Sequence, residues 1–254
     1  MKISVCMATY NGAKYIKEQV DSILNQDLTK YPDAELELVV SDDLSTDDTV
    51  KILESYNDSR IKIYHHTDKD KHRHKYVRPF FLCTANFGHA MSKATGDYVF
   101  LSDQDDVWLP LKVSKTLDLL QENKGGVAAT AFDVVSDKLK KFGSVEYHKE
   151  LRWRLNRKNK IYGFSCGFTR RELELFLPMP DIPHHDNFIT LMAAFRGKLS
   201  FTSEHLALYR YTGVHNVTSI PYDFPFLVRN YYRAKMVTIA YMRYLKGLIK
   251  DTLR

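Results

Sequence analysis

Tyr98-Val-Phe-Leu-Ser-Asp-Gln-Asp-Asp-Val-Trp108 decides how this chain is read. An apolar run of strand character stops abruptly at Asp103, Asp105 and Asp106, with Gln104 alone between them. Carboxylates this close repel one another, and no basic neighbour in sequence relieves them. A divalent cation would, and hard oxygen ligands at the carboxyl end of a strand suit magnesium or manganese. Taken alone, the stretch reads equally well as an acidic loop in which Asp106 caps the helix after Pro110. The rest of the chain decides between the two.

Outward from this stretch, strand and helix patterns alternate. Ile3–Ala8, Leu36–Val40, Ile61–Tyr64 and Tyr98–Leu101 read as strands. Ala13–Leu24, a segment opened by Ser45 or Thr46 as cap, Thr84–Ala94 closed by Gly96, and Leu111–Leu120 read as helices. Such succession predicts a parallel sheet with right-handed crossovers and a ligand beyond the carboxyl ends of its strands. The second half is less regular. Val127–Val135, Phe164–Thr169 and Leu206–Tyr211 read as strands, and Arg171–Leu177 and Asn187–Phe195 as helices. From Phe224 a long basic amphipathic pattern follows, with a break expected near Gly247. A helix packed on the domain with a solvated basic face is favoured there over a membrane-surface helix.

Four polar clusters fall at the predicted ligand edge. Ala8–Gly12 ends the first strand, with Gly12 expected to turn the backbone toward a ligand. Ser41–Asp47 ends the second, and one of its aspartates can accept a hydrogen bond from a base imide. Asp103–Asp106 ends the fourth, and His184-His185-Asp186 precedes a late helix. Each has a bland reading as a turn or a cap. Four at one edge, three of them with carboxylates, are better explained by one anionic ligand held through a metal.

Size and composition agree with an enzyme of this kind without selecting it. The 254 residues are 44% hydrophobic and 27% charged, ample for a globular core. No apolar run reaches the roughly 18 residues of a membrane span, and Met1–Val5 enters a strand pattern directly, so a cytoplasmic chain without a signal peptide is expected. Cys6, Cys83 and Cys166 are scattered, as reduced thiols would be. The net charge of +6 concentrates in Lys69–Arg78, Lys138–Lys160 and Arg229–Arg254. It permits phosphate-bearing ligands or anionic lipid. No nucleic-acid motif accompanies it, so no nucleic-acid partner is expected. The segment His65–Arg78 reads as a basic loop rather than a histidine metal site.

Ile3–Gly12, Val40–Asp47 and Gly96–Trp108 together closely resemble family 2 glycosyltransferases, specifically to about Leu120 and more loosely to about Ser219. Asp-Gln-Asp-Asp-hydrophobic-Trp and a late His-Asp before a helix are similar to bacterial surface-polysaccharide enzymes, rhamnosyltransferases among them. The resemblance implies an α/β GT-A fold: a Rossmann-like, mostly parallel central sheet flanked by helices. It divides the chain into a transferase domain over 1–220 and a helical segment over 221–254. Within the former, about 1–122 would bind the nucleotide and about 123–220 the acceptor.

By the same resemblance, Thr9, Tyr10 and Asn11 would line the nucleotide pocket and Asp43, with Asp42 beside it, would bind a pyrimidine. Asp103 would contact the ribose or a metal-bound water. Asp105 would hold the manganese or magnesium ion that bridges the diphosphate, and Asp186 would be the catalytic base. His185 is read in two ways, as a group that orients Asp186 or, with at least equal weight, as a packed or surface histidine. The pattern departs late: Tyr209-Arg210-Tyr211-Thr212 carries Thr212 where a histidine is expected, and His215 follows. Arg210 is carried over as a donor contact and His215 as a metal ligand. Gly163, Ser165, Cys166 and Gly167 would shape the acceptor pocket. The implied reaction is inverting transfer from a UDP- or dTDP-sugar to a hydroxyl of a glycan or lipid-linked glycan, in O-antigen or capsule synthesis, at the inner membrane face. A nucleotidyltransferase acting on sugar phosphates is the alternative, though Ala8–Gly12 lacks its glycine-rich basic signature. A non-catalytic nucleotide-sugar binding module is the other.

Overall fold

The computed structural model describes residues 1–67, 78–147, 161–212 and 225–252. Its elements run β1 (Lys2–Thr9), α1 (Ile16–Leu24), β2 (Glu35–Asp42), α2 (Thr49–Ser55), β3 (Ile61–His65), α3 (Arg78–Lys93), β4 (Tyr98–Ser102), β5 (Val107–Trp108) and α4 (Lys112–Glu122). They continue through β6 (Val127–Val135), β7 (Lys141–Val145), a 3-10 turn at Gly163–Ser165, β8 (Cys166–Thr169), α5 (Arg170–Phe176), α6 (His185–Phe195), β9 (Leu199–Arg210) and α7 (Phe226–Thr252).

One curled sheet carries them, in the order β3-β2-β1-β4-β8-β6-β9-β5, with β7 on β6. Strands β3, β2, β1 and β4 are all parallel. β8 runs against both β4 and β6, so the second half is mixed. β1 is covered on both faces. Ile3, Val5, Cys6 and Met7 are fully buried, as a central parallel strand requires. Helix α3 packs over β1 and β2, and α4 over β6, β8 and β9.

At the end of the sheet opposite the site, buried Ser4 and Glu37 join β1 to β2 through a 2.6 Å hydrogen bond, and the Gly96 amide donates to Ser4 Oγ at 2.7 Å. A Cβ on Gly96 would stand 2.6 Å from the Ser4 nitrogen, so β4 can enter beside β1 only with glycine there.

Several elements differ from the sequence-based expectation. Helix α2 starts at Thr49, and neither Ser45 nor Thr46 caps it, because the Ser45 hydroxyl is spent on Asp42. Helix α3 begins six residues before Thr84, since Phe80 and Phe81 are buried by α7. β9 starts at Leu199, seven residues early, where it pairs with β6. The two-residue β5 and the exposed β7 were not expected. Helix α7 runs unbroken through Gly247, which is a packing glycine: a Cβ there would meet Arg196 Nη1 at 3.0 Å.

The solvent face of α7 is also apolar rather than basic, with Leu227 78% and Ile249 62% exposed. Among the described residues no helix is long and apolar enough to cross a membrane.

Candidate active site

The segments after β2 and β4 and the first turn of α6 supply an acidic cluster around Cys83 of α3, with the loop after β1 beside the first two. After β1, Thr9 is buried and donates to Asp42 Oδ1 at 2.9 Å, while Tyr10 stands 56% exposed. Asn11 adopts a left-handed backbone (φ 48°), donates its amide to Ser45 Oγ and accepts the Thr46 amide on Oδ1 at 2.8 Å. Thus Asn11, rather than Gly12, makes the turn. Gly12 is required for another reason: a Cβ there would stand 2.3 Å from Gln104 Oε1.

The two aspartates after β2 part ways because successive residues point to opposite sides. Asp42 is buried and accepts from Thr9, from the Ser45 hydroxyl and, at 2.9 Å, from the Ser45 amide. It fastens the loop and has little left for a ligand. Asp43 belongs to the acidic cluster, and its Oδ1 accepts from Nδ1 of the buried His66 at 3.0 Å.

After β4, Asp103 and Asp105 lie close together and close to Asp186. Burial, then Asp105, then Asp186 push the Asp103 carboxyl up to about 8. Asp186 sits in the first turn of α6 rather than before it, with Oδ1 accepting the Asn187 amide at 2.8 Å. The joint placement of all four acids is reported by one thiol. Cys83 on α3 is raised well above its usual range by burial and by Asp103, Asp186, Asp43 and Asp105 in turn.

Asp106 does not cap α4. Fully buried, it accepts the Arg210 amide at 3.1 Å. Burial, reinforced by Asp105 and Asp103, drives its carboxyl well up. Beneath it Lys112 is fully buried, 5.0 Å from the Trp108 ring, and burial pulls its ammonium down to about 8 against the opposing influence of Cys166 and Asp106. Arg210 holds the same turn from behind. Its Nε donates to the Asp105 carbonyl at 2.8 Å, and its two terminal nitrogens reach the Asp137 carbonyl and Glu18. The guanidinium expected on the donor is thus bonded to the protein.

His185 does not orient Asp186. It is buried, stacks on Phe87 with ring centroids 4.2 Å apart, and is pulled down to about 3 by burial. Gly163 lies against this pair: a Cβ on it would meet His185 Nε2 at 2.8 Å and Asp186 Cβ at 3.6 Å. Ser165, Cys166 and Gly167, also expected at the acceptor pocket, are buried in the core. His215 lies outside the described residues.

Sequence reading gives no role to His66, Cys83, Lys112 or Gln104. The first sits at the edge of a stretch read only as a basic loop, Gln104 reads only as the spacer between acids, Cys83 reads only as a scattered thiol, and Lys112 carries no pattern that marks it.

The donor chemistry suits a hard divalent cation. Burial, then repulsion from Asp105, raises the Asp103 carboxyl, and magnesium-like ions are commonly bound by one or two carboxylates completed by water and substrate phosphate. Among the described residues no three His, Cys, Asp or Glu side chains form a complete metal site. Substrate oxygens would therefore supply the remaining ligands.

The curled, mostly parallel sheet flanked by helices is a GT-A fold, and solved structures share it. S. aureus TarS in complex with UDP-GlcNAc superposes with a TM-score of 0.64 at 20% identity, over 86% of this chain and 61% of that one. The mannosyltransferase PcManGT from Pyrobaculum calidifontis, in complex with GDP-Man and Mn2+, gives 0.57 at 20% identity, over 96% and 64%.

The family model of Glycosyl transferase family 2 matches residues 4–215, and the chain belongs to that family. An uncharacterised glycosyltransferase of Nostoc sp. (strain PCC 7120) is 26% identical over 85% of this chain and 66% of its own length. The dTDP-rhamnosyl transferase RfbG of Shigella flexneri is 34% identical over 46% of this chain and 37% of its own. The chain thus spans about two thirds or less of the length of these relatives.

Proposed function

We propose that this chain is a divalent-metal-dependent, inverting glycosyltransferase that moves a sugar from a UDP- or dTDP-linked donor to a glycan hydroxyl in polysaccharide synthesis. The observation that carries the reading is the convergence of Asp43, Asp103, Asp105 and Asp186, from three separate parts of the chain, on the surroundings of Cys83. RfbG, by its name, uses a dTDP-sugar, and TarS holds UDP-GlcNAc.

Each side chain then has a role. Asp43 accepts the imide N–H of the base. Because His66 already occupies its Oδ1, a single oxygen remains, which suits the one donor of uracil or thymine better than the two-donor edge of guanine. Tyr10 and Asn11 flank the nucleotide, with Thr9 and Asp42 holding their loop in place. A cation held by Asp105, with Asp103 beside it, would neutralise the diphosphate leaving group. Asp186 takes the proton of the acceptor hydroxyl as that oxygen attacks opposite the leaving group, so configuration inverts without a covalent intermediate. Arg210 and Asp106 position the Asp105 turn.

The test is nucleoside diphosphate release from UDP-, dTDP- and GDP-sugars with manganese and a glycan acceptor. Release from a UDP- or dTDP-sugar that Asp105→Ala abolishes supports the reading. Pyrophosphate release, or binding without turnover, contradicts it.

A further inference from the structure

Helix α7 turns one face to the protein and the other to solvent, and its solvent face is the apolar one. Inward, Val228 and Tyr232 pack on Phe80 and Phe81, and Met236 and Ile239 lie against the core beside the fully buried Ala240. Two of its basic residues also serve this inner face. Lys235 donates to the Asp181 carbonyl at 2.7 Å, and Arg243 to the carbonyls of Leu175 and Pro178.

Outward, at helical i, i+3 and i+4 spacing, stand Leu227, Tyr231, Tyr241, Met242, Leu245 and Ile249, 40–78% exposed. Ala234 and Thr238 fill the middle of that face, so no charge interrupts it over roughly 33 Å of helix. The exposed basic residues Arg233 and Lys246 fall on its two opposite flanks. From Phe224 to Lys250 the sequence has no Asp or Glu.

An exposed apolar band of this length marks an interaction surface. A second copy of the helix would bring basic flanks against basic flanks, with Asp251 in the last turn as the only acid of α7 to compensate. An anionic bilayer surface matches every part of the pattern. The apolar face enters the headgroup–acyl boundary, the tyrosines sit at headgroup level, and the flanking cations meet lipid phosphates.

We propose that α7 is an in-plane anchor that docks this protein on anionic phospholipid. The anchored helix is one side chain removed from the acidic cluster, because Phe80, on which its first turns pack, lies 4.9 Å ring to ring from His184, two residues before Asp186. The proposal stands apart from the transferase reading, and its test uses neither donor nor acceptor.

The full chain is sedimented with vesicles of phosphatidylcholine alone, or with added phosphatidylglycerol, at roughly 0.1 M salt. Binding is expected to the anionic vesicles and to be at least tenfold weaker to the neutral ones. The Leu245→Gln/Ile249→Gln double variant, both positions exposed, should fold normally by circular dichroism and bind at least tenfold more weakly. Arg233→Gln and Lys246→Gln should each weaken anionic binding by roughly fivefold. Three results would overturn the proposal: wild type left in the supernatant with anionic vesicles, the apolar double variant binding as wild type does, or a wild-type dimer that this variant dissociates without any vesicle binding.

Discussion

The side-chain amide of Gln104 closes on both backbone groups of Tyr10: Oε1 accepts the Tyr10 amide at 2.9 Å and Nε2 donates to the Tyr10 carbonyl at 3.0 Å. This pair ties the acidic turn after β4 to the loop after β1. It also explains Gly12, whose missing Cβ leaves room for Gln104. Gly12→Ala should therefore act through Gln104, costing about 1–2 kcal/mol for two displaced hydrogen bonds. In a Gln104→Ala background the same substitution should cost far less. Unfolding curves of the four proteins measure the coupling, and simple additivity would remove Gln104 from the explanation.

Arg210 makes its contacts with the protein, so its loss should register before any donor is added. Arg210→Lys cannot reproduce the fork to Asp105, Asp137 and Glu18, and should lower the stability of the ligand-free protein by roughly 2 kcal/mol. A variant as stable as wild type that is weakened only in donor affinity would make Arg210 a direct donor contact after all.

His66→Ala should free Asp43 Oδ1 and let the carboxylate turn. Affinity for UDP, measured by calorimetry, is expected to fall by roughly tenfold, as for one charge-assisted hydrogen bond lost. The preference for UDP over GDP should narrow with it. Unchanged affinity and preference would show that His66 does not fix the base-reading group.

Burial alone would raise the Glu37 carboxyl, but hydrogen bonds from Ser4, both donors of Thr95 and the Lys2 ammonium outweigh it and hold it down from 4.5 to about 2. A carboxyl lowered on folding contributes stability above its unfolded value and loses it as pH falls through the folded one. Thermal stability should therefore drop between pH 4.5 and about 2, and Glu37→Gln should flatten that slope. An identical slope in the variant would assign acid sensitivity to other groups.

β1, β2 and β4 were legible because each is a largely buried apolar run ended by polar residues, and β3 by its alternation of Ile61 and Ile63 with Lys62; a parallel sheet puts their ends on one edge. That rule also made Asp43, Asp103 and Asp105 legible as a group, while Asp186, in the first turn of α6, was singled out by the resemblance of its late His-Asp. It could not separate Asp42 from Asp43, since adjacent strand residues differ only in which side they face and both are acidic. β5 and β7 were hidden for local reasons. Val107–Trp108 is too short to show a period, and Lys141–Val145 has lysine, glycine and serine on an exposed edge. The outward face of α7 was misread because a helical pattern shows that an apolar stripe exists without showing which side the protein covers.

The account rests most on Asp186 serving the same site as the donor-binding acids. Single-turnover transfer and donor affinity, measured together in Asp186→Asn, test this directly. The account predicts near-normal donor binding with transfer slowed on the order of 10²–10⁴-fold, the range for loss of a general base. Transfer at the wild-type rate would contradict it.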